Sequence, residues 1–451
     1  MATNIAAKAV ALLSTPLFTR LLSPAEYGLY SLYISWLGIV SVVLSLGISG
    51  GAVYRGLGRY ENREKDFISS AVGILLVSFF AIGALLLALS FFGINHTGFP
   101  LIINIMLIGE VFLNVSETVI FAFFRYEYKY VKICLINLLY AVLTPGVAVL
   151  LIYVFGIRSE ARIYASFFVS LGLILPLILK EIRAKKLFDK GIWAYLAKLS
   201  LPLLPNSVAT TLVAQCDKLM IERYSGAAAL GKYSIAYSTG FMLTTLTGAI
   251  YSALQPWIMR SLNSGNSENA KKLTERIIFL TSLGLVLFLL LIPEIFSLIA
   301  APEYRSAELA VYPLAIAGFF QFVSNLLAAN IIHTEKTASL SIASMIAFVF
   351  NLFSNIMLLS KYGYIAAAFT TALSYAAMIG IEYFFLRSSR RESIIEAKSF
   401  APLALVIFAL PIYSLREIPL ARILFAAATL LFAAPSAIKF IKLFIRRKEA
   451  L

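Results

Sequence analysis

In a chain dominated by apolar residues, a few charged side chains stand where water is scarce, and they are the ones with chemistry to offer. Lys8 and Lys218 each lie within a long apolar run, and Asp217 directly precedes the second. In the stretch LIGEVFLNVSETVIFAFFR, Glu110, Asn114 and Glu117 follow at i, i+4 and i+7, a spacing that sets all three on one face of a helix. A charge at the bilayer centre costs at least ~2.5 to 3.5 kcal/mol on insertion scales, so such groups face a cavity, a partner or an ion. Buried ammonium groups suit an anion, whereas carboxylates and amides suit hydroxyl groups, a sodium ion or a proton. Each also has a plainer role. Lys8 can snorkel to the nearer interface, Lys218 can pair with Asp217 or with Glu222 one turn on, and the Glu110 stripe can serve as a hydrogen-bonded seam between helices. The same holds for Gln321 with Asn325 and for Asn351 with Asn355, each pair at i, i+4.

These side chains need spans to hold them. Hydrophobic residues make up 60% of the 451 and charged residues 14%, against a usual charged share near ~25%, and the mean hydropathy is +0.87. Apolar runs of about 20 residues recur, each long enough to cross ~30 Å of hydrocarbon as a helix, with no alternating strand pattern. The fold class is therefore an all-α integral membrane protein with about fourteen transmembrane helices. The expected spans are 4–22, 28–54, 67–92, 99–124, 133–155 and 162–179, then 201–221, 231–258, 277–300, 309–332, 337–359, 364–386, 400–415 and 418–440. Residues 1–180 form an N-lobe of six helices and 201–387 a C-lobe of six. Between them, 181–200 is a basic linker with an interfacial helix broken at Gly191 and an aromatic face of Phe188, Trp193 and Tyr195. Residues 388–451 append helices thirteen and fourteen and a basic tail.

Alternate loops carry roughly three times as many Lys and Arg as the others, which marks their side as cytoplasmic and places both termini there. The net charge of +15 is thus a matter of loops meeting anionic headgroups, with no basic domain for nucleic acid. Cys134 and Cys216 lie in or beside apolar runs and offer neither a disulfide framework nor a metal site. The N-terminus lacks the features of a cleaved signal, so the first span is expected to be retained.

The chain also repeats itself. TRLLSPAEYGLYSLYIS (19–35) and ERYSGAAALGKYSIAYS (222–238), laid together at an offset of 203 residues, agree at Arg20/Arg223, Ala25/Ala228, Gly28/Gly231, Tyr30/Tyr233, Ser31/Ser234 and Ser35/Ser238. An even number of helices per lobe makes the repeats parallel, related by an axis along the membrane normal, with a central cavity between them. In this frame Lys218 corresponds to Thr15, seven residues from Lys8 and on nearly the same helical face. Arg20 and Arg223 fall at equivalent outer ends, as snorkelling anchors or as an outer gate. Arg55 opens the basic loop after span two, either solvated or greeting an anion at the inner mouth. Pro24 and Gly28 read as a rigid stop followed by a flexible joint beside interfacial aromatics Tyr27, Tyr30 and Tyr33.

The segment TRLLSPAEYGLYSLYISW resembles the start of the polysaccharide transporter family, the Wzx-type O-antigen flippases of the multidrug/oligosaccharidyl-lipid/polysaccharide exporter superfamily, and CDKLMIERYSGAAALGKYSIAYS resembles that family's motif at the seventh helix. The resemblance implies movement of an undecaprenyl-pyrophosphate-linked oligosaccharide from the inner to the outer leaflet of a bacterial inner membrane by alternating access. It implies no cofactor beyond a coupling gradient of protons or sodium ions. The implied partners are the lipid-linked substrate, membrane lipids, and the polymerase and chain-length proteins of the same pathway. Alternatives are a multidrug exporter or lipid II flippase of the same superfamily, and, from another class, a membrane glycosyltransferase or polysaccharide polymerase. The sequence holds no phosphate-binding Gly-Lys loop, no HExxH and no GxSxG, and its two histidines are His96 and His333, so no enzymatic activity is expected.

Overall fold

The computed structural model describes residues 14–48, 50–91, 97–182, 186–263, 267–333, 337–388 and 414–431. Lys8, most of the first span, nearly all of the thirteenth and the basic tail lie outside the described residues. Every regular element among those described is a helix, and nine helices are long and apolar enough to cross a membrane. The chain divides into two compact units, Met1–Gly231 and Lys232–Leu451.

In the first unit, residues 14–21 are helical and lead to α1 (Pro24–Leu44), α2 (Gly50–Arg59), α3 (Glu64–Phe91), α4 (Leu101–Tyr126), α5 (Tyr130–Phe155), α6 (Ala161–Glu181) and α7 (Lys190–Ser200). The long α8 (Leu204–Gly240) follows and runs on into the second unit. That unit continues with α9 (Met242–Asn263), α10 (Ser267–Leu290), α11 (Ile292–Ile299), α12 (Glu308–His333), α13 (Thr337–Tyr362), α14 (Tyr364–Ser388) and α15 (Pro419–Leu431). In the first unit α4 packs on α1, α2, α3 and α6, and α5 packs on α6; in the second α12 packs on α9, α10, α11 and α14, and α13 packs on α14. The two units are wired alike in chain order, and α4 and α12, the counterparts at the two centres, are both 26 residues long.

Several boundaries differ from the sequence reading for local reasons. The opening turn is a helix start: Glu26 N–H donates to Ser23 Oγ and Ser23 N–H donates to Glu26 Oε2 at 2.8 Å, a capping box with Pro24 in the first turn. The expected span 28–54 breaks after Leu44, where Leu46 and Gly47 take positive φ and the chain re-enters a helix at Gly50. Gly47 is doubly required, because a Cβ there would lie 2.7 Å from Ser200 O. Arg55 therefore sits on the exposed side of α2 and does not open a loop. The turn expected between spans seven and eight is a single kink within α8 at Gly226, with φ 82° and ψ 171°.

The linker packs on the first unit. Asp189 Oδ1 caps α7 by accepting from the amides of Gly191 and Ile192, so Gly191 lies in the first turn and does not break the helix. Ile192 and Leu196 join the buried cluster of Leu57, Phe67, Ile68 and Leu75. Trp193 Nε1 donates to Ser70 O at 2.9 Å, and a Cβ on Gly73 would meet Leu187 O at 1.9 Å. Ion pairs Lys186–Asp66 (3.7 Å), Arg63–Asp189 (3.6 Å) and Lys65–Glu181 (3.7 Å) tie the same basic end together.

Candidate functional site

The polar stripe of α4 is resolved into unequal parts. Glu110 is buried and accepts two hydrogen bonds, from Tyr33 Oη of α1 at 2.6 Å and from Ser166 Oγ of α6. Tyr140 Oη of α5 stands 3.1 Å from Ser166 Oγ, and because that serine gives its proton to Glu110, Tyr140 is the donor. One carboxylate thus gathers four helices through hydroxyls alone. Both of its oxygens are satisfied, as burial in a low-dielectric interior demands. Asn114 and Glu117 share its face, yet both are half-buried and their side chains make no hydrogen bond among the described residues. Tyr33 is fully buried, Tyr27 is buried and Tyr30 is half-buried, so these three rings are interior groups and not interfacial anchors.

Sequence reasoning missed one enclosed cation of this unit. Arg162, the first residue of the expected span 162–179, occupies the first turn of α6, its guanidinium carbon 3.8 Å from the ring centre of Tyr30, 4.4 Å from Phe18 and 5.0 Å from Tyr27. Stacking of this kind is worth ~0.5 to 2 kcal/mol per ring, more when desolvated. Its Nη1 is enclosed without a hydrogen-bond partner among the described residues. The available signal was Tyr27 and Tyr30 at i, i+3 facing a lone arginine at a span's first turn. Arg158, in the preceding loop, pairs with Glu26 at 3.3 Å and donates to Leu21 O.

Lys218 is buried on α8, and its Nζ donates to Gln215 Oε1 at 2.9 Å. Asp217 is fully buried and accepts from the Lys218 amide at 2.7 Å. Gln215 lies against α1, where a Cβ on Gly38 would stand 3.4 Å from its Nε2. Arg223 and Arg20 are exposed; Arg20 Nη1 donates to Pro16 O at 3.2 Å and lines, with Arg158, Gly156 and Tyr153, a cavity of about 370 Å³. Arg55 is exposed as well. The structure therefore keeps Lys218 and Asp217 together on α8 and brings Arg20 near Arg158, while the hydrogen bonds of Glu110 go to Tyr33 and Ser166.

The second unit has its own buried carboxylate, also missed. Glu382 of α14 accepts from Ser324 Oγ of α12 at 3.0 Å while its Oε2 has no partner among the described residues. The helix pair α12–α14 corresponds to α4–α6, so each unit carries a Ser–Glu bond between equivalent helices. Asn351 and Asn355 do pair, at 3.1 Å, and Thr370 Oγ1 donates to Asn355 Oδ1; Gln321 instead bonds Tyr375 Oη at 3.2 Å, and Asn325 is exposed.

A two-unit fold, helical throughout the described residues and with charged groups buried in its spans, defines a multi-pass membrane protein. Residues 1–262 match the family described as polysaccharide biosynthesis protein, and the chain belongs to that family. Residues 202–357 also match the MatE family. Among curated proteins, the chain is 22% identical over 407 residues to a probable low-salt glycan biosynthesis flippase, Agl15, of Haloferax volcanii, covering 85% of this chain and 81% of that protein. Among solved structures it resembles the lipid II flippase MurJ in an inward closed conformation, at 15% identity, 98% and 99% coverage of the two chains and a TM-score of 0.73. It also resembles the inward-facing form of a multidrug resistance MATE family transporter of the MOP superfamily, at 14% identity, 85% and 94% coverage and a TM-score of 0.67. These structural likenesses show the fold.

Proposed function

We propose that this protein is a flippase for a lipid-linked oligosaccharide. The observation that carries the reading is the family match over residues 1–262, on a chain whose relative in Haloferax volcanii is named a glycan biosynthesis flippase. In this reading the cargo is a polyprenyl-pyrophosphate-linked repeat unit of a surface polysaccharide, undecaprenyl-linked in a bacterial inner membrane. It passes from inner to outer leaflet between two parallel six-helix bundles by alternating access, with both termini cytoplasmic and the basic loops on the loading side. Lys218, with Lys8 and Arg55, supplies cations toward the pyrophosphate, and a proton or sodium gradient drives the cycle through carboxylates such as Glu110. Polymerase and chain-length proteins of the same pathway are its partners.

The test is complementation in strains that each lack one defined lipid-linked-oligosaccharide flippase, scored by surface glycan. Rescue of one and not of others identifies the cargo; rescue of none, with protein present in the membrane, overturns the reading. The match of residues 202–357 to the MatE family favours a second reading, export of drugs. That reading requires raised drug tolerance in the same strains without restored glycan.

A further inference from the structure

The repeated motif has a physical meaning in the folded chain. Gly28 of α1 and Gly231 of α8 are equivalent residues at the offset of 203, and in the structure they meet. A Cβ on Gly28 would lie 1.9 Å from Ala227 O, and a Cβ on Gly231 would lie 1.9 Å from Pro24 O. Pro24 and Ala227 are themselves equivalent at that offset. The contact is therefore reciprocal: each strand of the repeat lays its glycine on the other's first-turn carbonyl, backbone against backbone, as only residues without a side chain permit. Serines continue the face one and two turns further in each copy, Ser31 and Ser35, Ser234 and Ser238. On α1 the face ends at Gly38 beside Gln215, the partner of Lys218.

The segment of α8 that makes this crossing hangs on a joint. Gly226 occupies a backbone region open only to glycine, and among the described residues nothing lies within 4 Å of where its Cβ would be. Its equivalent is Ser23, the residue at which α1 begins. Both arms of the crossing thus start one turn before their glycine, at the end of the first unit where Arg158 and Glu26 pair.

We infer that the Gly28–Gly231 crossing is a gate at that end, shut here by direct backbone contact and parted to release cargo. The inference rests on the transport reading above. A methyl group at either glycine forces the arms about 1 Å or more apart and holds the gate ajar.

Ser31, buried and on the Gly28 face one turn deeper, reports the state. In a chain with Cys134 and Cys216 replaced by serine, Ser31→Cys is treated in whole cells with a membrane-impermeant maleimide. With both glycines intact, labelling is expected to be low when cargo synthesis is blocked and several-fold higher during glycan export. Gly28→Ala and Gly231→Ala are expected to raise labelling several-fold without cargo and to cut export, both to the same degree because the contact is reciprocal. Unchanged labelling and export in the two alanine variants overturn the gate. Should both variants be lost from the membrane, the glycine-intact chain decides: flat labelling in cells that export glycan overturns it. Failure of the glycine-intact chain to restore any glycan refutes the transport reading instead, and leaves the gate to be judged on the alanine variants' labelling alone.

Discussion

The hydroxyl clasp on Glu110 permits a prediction whose size comes from the geometry. Tyr33→Phe removes one donor at 2.6 Å from a buried carboxylate and leaves the ring, with its edge contact to Phe99, in place. Hydrogen bonds to a charged group are worth ~1.5 to 3 kcal/mol in soluble proteins, whereas interhelical bonds within membranes average ~0.6 and reach ~1.7. Glu110 is buried and each of its oxygens accepts one hydroxyl, so the upper part of the membrane range applies, about 1.5 kcal/mol. Ser166→Ala removes the second donor and strands Tyr140, with a similar cost. The double variant should lose about 1 kcal/mol more than the sum of the two, because the second loss leaves the carboxylate without a donor. The assay is reversible unfolding of the purified protein in mixed micelles, read by intrinsic fluorescence, as a double-mutant cycle. Costs below about 0.5 kcal/mol that simply add would refute the view that Glu110 holds α1, α4, α5 and α6 together. Glu110→Gln separates structure from coupling: the amide can still bond both hydroxyls, so stability should hold, and loss of glycan export in a stable Glu110→Gln protein assigns the carboxylate to ion or proton coupling.

Lys218→Ala should reduce export with protein level unchanged while Lys218→Arg retains part of it, since charge is what the site supplies; normal export from Lys218→Ala would remove this lysine from the pathway. Trp193→Phe deletes the bond from Nε1 to Ser70 O and should cost about 1 kcal/mol, seen as faster proteolysis between Lys180 and Lys198 with the spans intact. Arg422→Ala breaks the 2.7 Å pair with Glu294 and the bond to Leu290 O that pin α15 to the second unit. Glu294 is solvated, so the effect should be confined to protease release of the C-terminal segment, without loss of the other spans. A reporter active only outside the cytoplasm should work after Gly156 and stay silent after Ser388; the opposite pattern would invert the orientation.

The fold was legible because burial in lipid leaves a strong signal: length and apolarity located most of the spans now seen in α1 to α14. Breaks were less legible. The kink at Gly226 and the interruption after Leu44 depend on positive-φ residues and on tertiary neighbours such as Ser200, which hydropathy does not register. Glu110 was found because a carboxylate in an apolar run is conspicuous, but that both its oxygens are satisfied depends on Tyr33 and Ser166, on helices distant in sequence. Arg162 was misjudged because position near a span's end is the same for a snorkelling arginine and for one folded inward over three rings. Glu382 lay near a span's other end and was overlooked for the same reason.

The two repeats agree in backbone more than in side-chain chemistry, and this bears on which expectations deserve testing first. At the offset of 203, glycine aligns with glycine at the crossing and serine with serine beyond it, yet Tyr33, the donor to Glu110, corresponds to Ala236. The Ser–Glu bonds of α4–α6 and α12–α14 have the carboxylate on opposite members of the pair. Steric constraint at a crossing admits few residue types, so both copies keep them; a hydrogen bond between two helices can be made from either side, so the copies diverge. An argument from the repeat is consequently strong for the Gly28–Gly231 contact and weak for equivalence between Lys8 and Lys218, whose frame pairs Lys218 with Thr15. Lys218 stands on its own burial and its bond to Gln215. If charge at that position serves the cargo, Lys218→Ala should impair export whether or not Lys8→Ala does, and a requirement for both lysines together would show that the side-chain repeat, and not the backbone alone, is functional.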